Sequence, residues 1–234
     1  EAMGAEPSAV VIGLAFPRDL DRRWVSDFQE GVVEECARAG VSLVGGDLSS
    51  SPHIALGVTA LGNLSGRPAI TRAGARVGDQ VAVCGRLGCS AGGLLVLQRG
   101  FGSPKDLVLE QQCPTVPYGQ GKAAAEAGAT AMIDISDGLL QDLGHICELS
   151  GVGIDVRTAA LKIHDSLARL AAATGKDPLG LVLAGGEDHA LVATFPAQVE
   201  LPQGWLRIGT VTSGAEVIVD SMPWAGSVGW DHFA

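Results

Sequence analysis

The chain has 234 residues, of which 47% are hydrophobic and 18% are charged, and 33 are glycines. This composition excludes a disordered protein and leaves room for one large domain or two smaller ones, each with its own core. The formal net charge of −10, without any run of five lysines or arginines, argues against a nucleic-acid-binding protein.

The first 66 residues are predicted to contain three strands and one helix. Apolar or alternating runs predict strands at 9–15, 41–44 and 53–64. Apolar residues near every fourth position predict a helix from 19 to 40. Gly66 and Pro68 then break the pattern, so we place a domain boundary near residue 66. The opening Glu1–Ala5 resembles the end of a helix, so we expect the first half to be incomplete at its start.

From residue 67 onwards, the predicted strands and helices alternate, with pairs of consecutive strands between them. Strands are predicted at 81–84, 131–135, 153–156, 189–195, 206–211 and 216–219. Helices are predicted at 90–97, 121–128, 138–149 and 163–173, with a connection at 101–118 that could contain a short helix. This mixed order favours an α+β fold over a pure Rossmann fold or barrel. We expect two α/β sandwich halves with mixed sheets, at 1–66 and 67–234.

The segment 131–138 contains the strongest candidate site. Asp134 and Asp137, with Ser136 between them, lie where a predicted strand gives way to a predicted helix. Ligands of α/β proteins collect at such junctions. Two carboxylates and a hydroxyl are hard oxygen ligands, which suit Mg²⁺ better than zinc. Alternatively, Ser136 or Asp137 caps the helix, which leaves the acid on the strand unexplained.

Two further segments combine glycines with acids beside a strand. Gly45-Gly46-Asp47 follows one predicted strand, and Gly185-Gly186-Glu187-Asp188 precedes another. Glycines let backbone amides approach a ligand closely. Each segment alone could be an ordinary turn, the first of them a hairpin between the strands at 41–44 and 53–64. Three acid-bearing turns in one chain indicate a cage of oxygen ligands.

Arg72 and Trp230 are the two remaining candidate site residues. Arg72 precedes a strand and could hold a phosphate through its forked guanidinium, or it could be a surface arginine of a loop. Trp230 could stack on a planar ring or pack the C-terminal tail against the protein.

The composition also limits compartment and cofactors. Five cysteines without a CxxC pair favour reduced thiols in a cytoplasmic protein, and five histidines without HxxxH argue against zinc. We expect no membrane partner, because no apolar run has the length of a span and no signal peptide is evident. An acidic chain that binds phosphate needs metal ions to supply positive charge.

These motifs occur in the order seen in thiamine-monophosphate kinases, and the chain resembles that family over essentially its whole length. The resemblance rests on the segments 1–7, 45–49, 71–79, 132–139, 185–188 and 229–233. The superfamily also contains aminoimidazole ribonucleotide synthetase, selenophosphate synthetase and a hydrogenase maturation factor. The family carries a preceding stretch with further Mg²⁺-binding acids that is not part of this chain. We therefore expect part of the metal and substrate site to be missing.

The resemblance implies a kinase that converts thiamine monophosphate to thiamine diphosphate with ATP and several Mg²⁺ ions. It also implies a homodimer formed through an ATP- and Mg²⁺-binding domain at 1–66. The implied nucleotide contacts are Gly46, Asp47, Arg72 and Ser136. The implied metal ligands are Asp47, Asp134 and Asp137, and the implied substrate contacts are Glu187 and Trp230.

The acceptor phosphate is already ionised near neutral pH, so no general base is required. We therefore expect catalysis by positioning and metal ions, without a catalytic side chain. Two alternatives stay open. One is another ATP-using member of the superfamily that releases free phosphate, such as the purine-pathway synthetase. The other is a nucleotide-binding module without turnover.

Overall fold

The computed structural model describes residues 1–230, and the chain divides into two compact units. The first unit is Ala5–Pro68 with Glu1, and the second combines Ala2–Gly4 with the chain from Ala69 onwards. Within the described part of the chain, every helix is too short or too polar to cross a membrane. Of the C-terminal segment singled out above, 231–233 lie outside the described residues.

The first unit is a three-stranded sheet with one helix. Its elements are β1 (Glu6–Phe16), α1 (Arg22–Ala39), β2 (Ser42–Ser50) and β3 (Ala55–Asn63). β1 lies in the middle, parallel to β2 and antiparallel to β3. Asp21 caps the start of α1 through its side chain, and Gly40 ends the helix in the left-handed conformation.

The prediction of a turn at Gly45-Gly46-Asp47 is wrong. β2 continues through these residues, and it pairs with β1 rather than β3, so the hairpin alternative is wrong as well. The pairing register shifts between Val10 and Val11 of β1, and a Cβ on Gly46 would collide with the backbone carbonyl of Ile12. Gly46 therefore permits an irregular, close strand pairing.

The second unit is built on a seven-stranded sheet. Its strands are β4 (Gln80–Cys84), β5 (Ala131–Ile135), β6 (Gly153–Val156), β7 (Ala190–Phe195), β8 (Leu206–Thr212), β9 (Val217–Val219) and β10 (Met222–Pro223). The strand order is β10-β9-β6-β8-β4-β7-β5. β6 and β9 are parallel, and the other neighbouring pairs are antiparallel. Together with the first sheet, this mixed arrangement confirms the predicted α+β class.

Up to residue 230, the second unit contains six helices and one short 3-10 helix. They are α2 (Cys89–Gln98), α3 (Lys105–Gln112), α4 (Gln120–Glu126), α5 (Leu139–Ser150), the 3-10 helix Thr158–Ala160, α6 (Asp165–Thr174) and α7 (Pro178–Ala184). α7 and β10 were not predicted from the sequence.

Alternating side chains of the central strands divide the core of the second unit into two layers. Val81 and Val83 of β4 pack with α2, α3, α5, α6 and α7, whereas Ala82 and Cys84 pack on the side of α4. Since all these side chains are nearly inaccessible to solvent, β4 and its neighbours form a rigid platform. The candidate site is built where strands of this platform end.

Candidate functional site

The turn between β5 and α5 carries three of the predicted site residues. β5 is an edge strand that ends at Ile135, and α5 begins at Leu139. Asp134, Ser136 and Asp137 are each half-buried. The N-cap position of α5 is Gly138, with φ 131° and ψ 149°, so neither Ser136 nor Asp137 occupies it. The three residues therefore lie together at the carboxyl end of a strand, as predicted.

Asp142, in the first part of α5, accepts hydrogen bonds from the backbone N–H groups of the segment that joins β5 to α5. Its Oδ2 accepts hydrogen bonds from Ser136 N–H at 3.0 Å, Asp137 N–H at 3.1 Å and Gly138 N–H at 3.1 Å. Asp142 is 2% exposed, and burial raises the pKa of its carboxyl group to about 6. The carboxylate that stabilises the start of α5 is thus a residue that the sequence analysis did not consider.

A signal for Asp142 is present in the sequence. The buried face of α5 is formed by Leu139, Leu143 and Ile146, and Asp142 lies on that same helical face. An acid among apolar residues at helical spacing must find hydrogen-bond donors inside the protein. The three N–H groups at the start of the helix are those donors.

The carbonyl groups of the same turn accept backbone hydrogen bonds from two other segments, 187–189 and the C-terminal segment at Trp230. The bonds run from His189 N–H to Ile135 O at 2.9 Å, from Glu187 N–H to Ser136 O at 2.7 Å, and from Trp230 N–H to Asp137 O at 2.9 Å. Glu187 and Trp230 are the two residues predicted to contact a substrate. The structure therefore brings their backbones to the turn that carries Asp137.

The two acids of the Gly-Gly-Glu-Asp segment have different surroundings. Asp188 is buried and accepts hydrogen bonds from the N–H groups of Gly88 and Ser90 at the start of α2. Burial raises the pKa of Asp188 to about 6. The side chain of Glu187 is 67% exposed, with Oε2 at 3.4 Å from His189 Nε2. Of the two acids, Asp188 therefore faces the protein interior, whereas Glu187 is accessible to solvent.

Arg72 and Asp134 line one cavity of 320 Å³ in the second unit. The loop that carries Arg72 is fixed to the end of α5 by Ser150, whose Oγ donates to Arg72 O at 3.0 Å. The same Oγ accepts from the N–H groups of Gly74 and Ala75 at 3.1 and 3.2 Å. A guanidinium and a carboxylate thus share a solvent-accessible pocket at the edge of the sheet.

Among the described residues, one group of acids and histidines is compact enough to be considered for a metal ion. The ligand atoms of Asp137, Asp142 and His145 lie within 4.8 Å of one another, and Asp134 is not part of this group. One oxygen of Asp142 is already engaged with three N–H groups, and imidazole is a poor ligand for Mg²⁺. For a hard cation, the suitable donors in this region are the half-buried carboxylates of Asp134 and Asp137.

Gly46 and Asp47 belong to the first unit. Asp47 is exposed in the middle of β2, and its Oδ2 accepts a hydrogen bond from Ser49 Oγ at 2.6 Å. Both residues line a cavity of 470 Å³ that Phe28 and Val32 of α1 also border. The carboxylate is therefore accessible to a ligand.

Two family models match the chain: AIR synthase related protein, N-terminal domain, over residues 1–64, and AIR synthase related protein, C-terminal domain, over residues 76–221. The thiamine-monophosphate kinase of Mycobacterium tuberculosis H37Rv is 47% identical over 235 residues, covering 100% of this chain and 70% of the relative. The Escherichia coli K12 thiamine-monophosphate kinase is 34% identical over 258 residues, with 100% and 76% covered. Among solved structures, AaThiL complexed with AMPPCP and TMP matches with a TM-score of 0.88 at 32% identity, covering 99% of this chain and 75% of that one.

Proposed function

The chain belongs to the thiamine-monophosphate kinase family and is an ATP-dependent kinase that phosphorylates thiamine monophosphate; we propose that the phosphoryl group passes directly and in line from ATP to the acceptor. The products are ADP and thiamine diphosphate. The acceptor is an ionised phosphate oxygen, so the protein needs no general base to deprotonate it. The catalytic role of the protein is then to hold two anionic phosphates in line and close together.

The nucleotide side of the site is assigned to Gly46, Asp47, Arg72 and Ser136. Support for Arg72 comes from its position in the 320 Å³ cavity that Asp134 also lines. A guanidinium binds phosphate oxygens with two parallel hydrogen bonds, so it can orient as well as attract the triphosphate. Ser136 lies on the turn between the two proposed metal ligands Asp134 and Asp137, where its hydroxyl can donate to a phosphate oxygen.

We assign Mg²⁺ binding to Asp47, Asp134 and Asp137. The chemistry of the donor set fits: these carboxylates are exposed or half-buried, unlike Asp142 and Asp188. When bound, Mg²⁺ would offset a repulsion between donor and acceptor phosphates of roughly 4 kcal/mol per charge pair at 4 Å and an effective dielectric of 20.

The thiamine side of the site is assigned to Glu187 and Trp230. Thiamine carries a positively charged thiazolium ring and a planar pyrimidine. An exposed indole can stack on either ring, and a carboxylate attracts the thiazolium. The 64% exposure of Trp230 supports this assignment. The observation that carries the proposal is that both residues are hydrogen-bonded through their backbones to the turn of Asp137.

The proposal includes a domain division at 1–66 and 67–234 and a cytoplasmic homodimer formed through the first domain. Support for the dimer comes from the exposure of β2 and β3 along their whole length. Apolar side chains lie among these exposed residues, including Val44, Leu48, Leu56 and Val58. Such a surface is typical of a protein–protein interface.

A kinetic comparison of variants tests the assignment of the thiamine side. Trp230→Ala and Glu187→Ala should each raise the KM for thiamine monophosphate about tenfold, an amount expected for one stacking or charge contact, and leave the KM for ATP unchanged. Trp224→Ala, which alters another tryptophan of the same C-terminal segment, serves as the control. An unchanged KM for thiamine monophosphate in both variants, or a rise in the KM for ATP alone, would contradict the assignment.

A further inference from the structure

We propose that Asp142 is the positioning residue of the transfer reaction, because one of its buried carboxylate oxygens fixes the three peptide planes that hold Asp137, Glu187 and Trp230 in place. The inference rests on the proposed function of those three residues. Asp142 itself touches neither substrate nor metal in this assignment, since its side chain lies beneath the turn.

The planarity of the peptide bond links the hydrogen bonds on the two sides of the turn. Each peptide plane contains the carbonyl of one residue and the N–H of the next, so fixing one group orients the other. The planes 135/136, 136/137 and 137/138 each direct their N–H to Asp142 Oδ2. The carbonyls of these planes, taken in the same order, accept hydrogen bonds from the N–H groups of His189, Glu187 and Trp230. Every plane of the turn is therefore held from both sides.

Asp142 Oδ2 thus orients three peptide planes, and it thereby orients the three hydrogen bonds that their carbonyls accept. If Asp142 Oδ2 is removed, the three N–H groups lose their common partner, and the planes can rotate. Rotation of the plane 137/138 displaces the carbonyl that binds Trp230, and rotation of the plane 136/137 displaces the one that binds Glu187. Loss of the Asp142 side chain should therefore displace both proposed thiamine contacts, Glu187 and Trp230, together.

The need for a carboxylate follows from geometry and charge. A capping hydroxyl or amide at the first position of a helix usually accepts one or two N–H groups, and here that position is Gly138 without a side chain. Charge-assisted hydrogen bonds to a carboxylate are stronger than neutral ones, so one oxygen can order three donors. Burial of a carboxylate costs free energy. The ordering of these three N–H groups explains why Asp142 nevertheless lies on the core face of α5.

The test compares Asp142→Ala, Asp142→Asn and a matched control by amide hydrogen exchange and steady-state kinetics of the purified protein. The control is Asp79→Ala. Asp79 is 5% exposed and accepts hydrogen bonds from Arg76 N–H at 3.0 Å and Thr130 Oγ1 at 2.7 Å, before β4 begins. The control therefore removes a comparable buried carboxylate that holds a different turn.

For Asp142→Ala we expect faster exchange in peptides covering 136–138, 187–189 and 230 together, without any ligand present. We also expect kcat/KM for thiamine monophosphate to fall about 10- to 100-fold, the range seen when residues that orient ligand-binding groups are removed. Asp142→Asn retains an acceptor oxygen and should show a smaller change in the same three segments. Asp79→Ala should lower the Tm and leave both kcat/KM and exchange in these segments unchanged.

The proposal is overturned if exchange in Asp142→Ala rises at 136–138 alone, or if Asp79→Ala loses as much kcat/KM as Asp142→Ala. Should Asp142→Ala not fold, Asp142→Asn decides: wild-type exchange at 187–189 and 230 with wild-type kcat/KM would overturn the proposal. Hydrogen exchange needs no substrate. A wild-type protein without kinase activity would therefore contradict the proposed function and leave the coupling of the three segments to be judged separately.

Discussion

Three aspartates within nine residues, Asp134, Asp137 and Asp142, have different surroundings. The first two are half-buried at the end of β5, and the third is buried below them. Burial raises the pKa of the Asp142 carboxyl group, whereas the carboxylates of Asp134 and Asp137 are accessible to a cation. The division between the two acids proposed to bind Mg²⁺ and the structural acid is therefore set by depth in the protein, which residue type alone does not reveal.

Asp188 gives a pH-dependent stability that can be measured. Burial raises the pKa of its carboxyl group to about 6, from 3.8 as the ordinary value. Between these values the folded state binds more protons than the unfolded state, so this group adds stability as the pH falls from 7.5 to 5. Asp188→Asn removes the titrating group. The difference in unfolding free energy between wild type and variant should shift by about 1 kcal/mol in favour of wild type at pH 5.

Urea unfolding of both proteins at pH 7.5 and pH 5 checks this expectation. Asp142 is also a buried acid with a raised pKa, but it is present in both proteins, so its contribution cancels in the difference. The same difference in unfolding free energy at both pH values would show that Asp188 has an ordinary pKa in the folded protein.

At the scale of elements, most strands and helices follow from the spacing of apolar residues, and the exceptions have physical causes. β5 and α5 were predictable because an apolar run is followed by an amphipathic pattern. α7 has only seven residues, too few for a helical period to stand out, although Asp177 and Pro178 at its start are favourable cap residues. The extension of β2 through Gly45 and Gly46 depends on pairing with β1, and strand pairing is not encoded locally.

The close packing of two turns at Gly186 gives a prediction for an element. A Cβ on Gly186 would lie 2.5 Å from the carbonyl oxygen of Ser136, so Gly186→Ala must move the Gly-Gly-Glu-Asp turn away from the turn after β5. We expect a loss of about 1–3 kcal/mol of stability and a lower kcat/KM for thiamine monophosphate.

Gly144→Ala is the matched control in α5. A Cβ on Gly144 would meet nothing within 4 Å, so alanine should stabilise the helix by about 0.5–1 kcal/mol through its higher helix propensity. Thermal unfolding and steady-state kinetics of both variants check the pair. An active, fully stable Gly186→Ala protein would contradict the close approach of the two turns.

At the scale of the whole molecule, the residues proposed for the site were predictable as types, but their organisation was not. Paired acids beside glycine or serine at strand ends indicated Asp134, Asp137 and Glu187. That Glu187 and Trp230 are joined to one turn through backbone bonds could not be read from the sequence, because these residues lie far apart in the chain. Asp142 was missed because a buried acid resembles a surface acid until the helix face is considered.

The most direct test of the account follows the γ-phosphate. Purified wild-type protein is incubated with ATP labelled at the γ-phosphate, thiamine monophosphate and Mg²⁺, beside Asp137→Ala. We expect wild type to transfer the label to thiamine diphosphate, with one ADP formed per thiamine diphosphate. Asp137→Ala should transfer it at least about 100-fold more slowly and keep the wild-type Tm. Release of the label as free phosphate with unchanged thiamine monophosphate, or wild-type transfer by Asp137→Ala, would contradict the account.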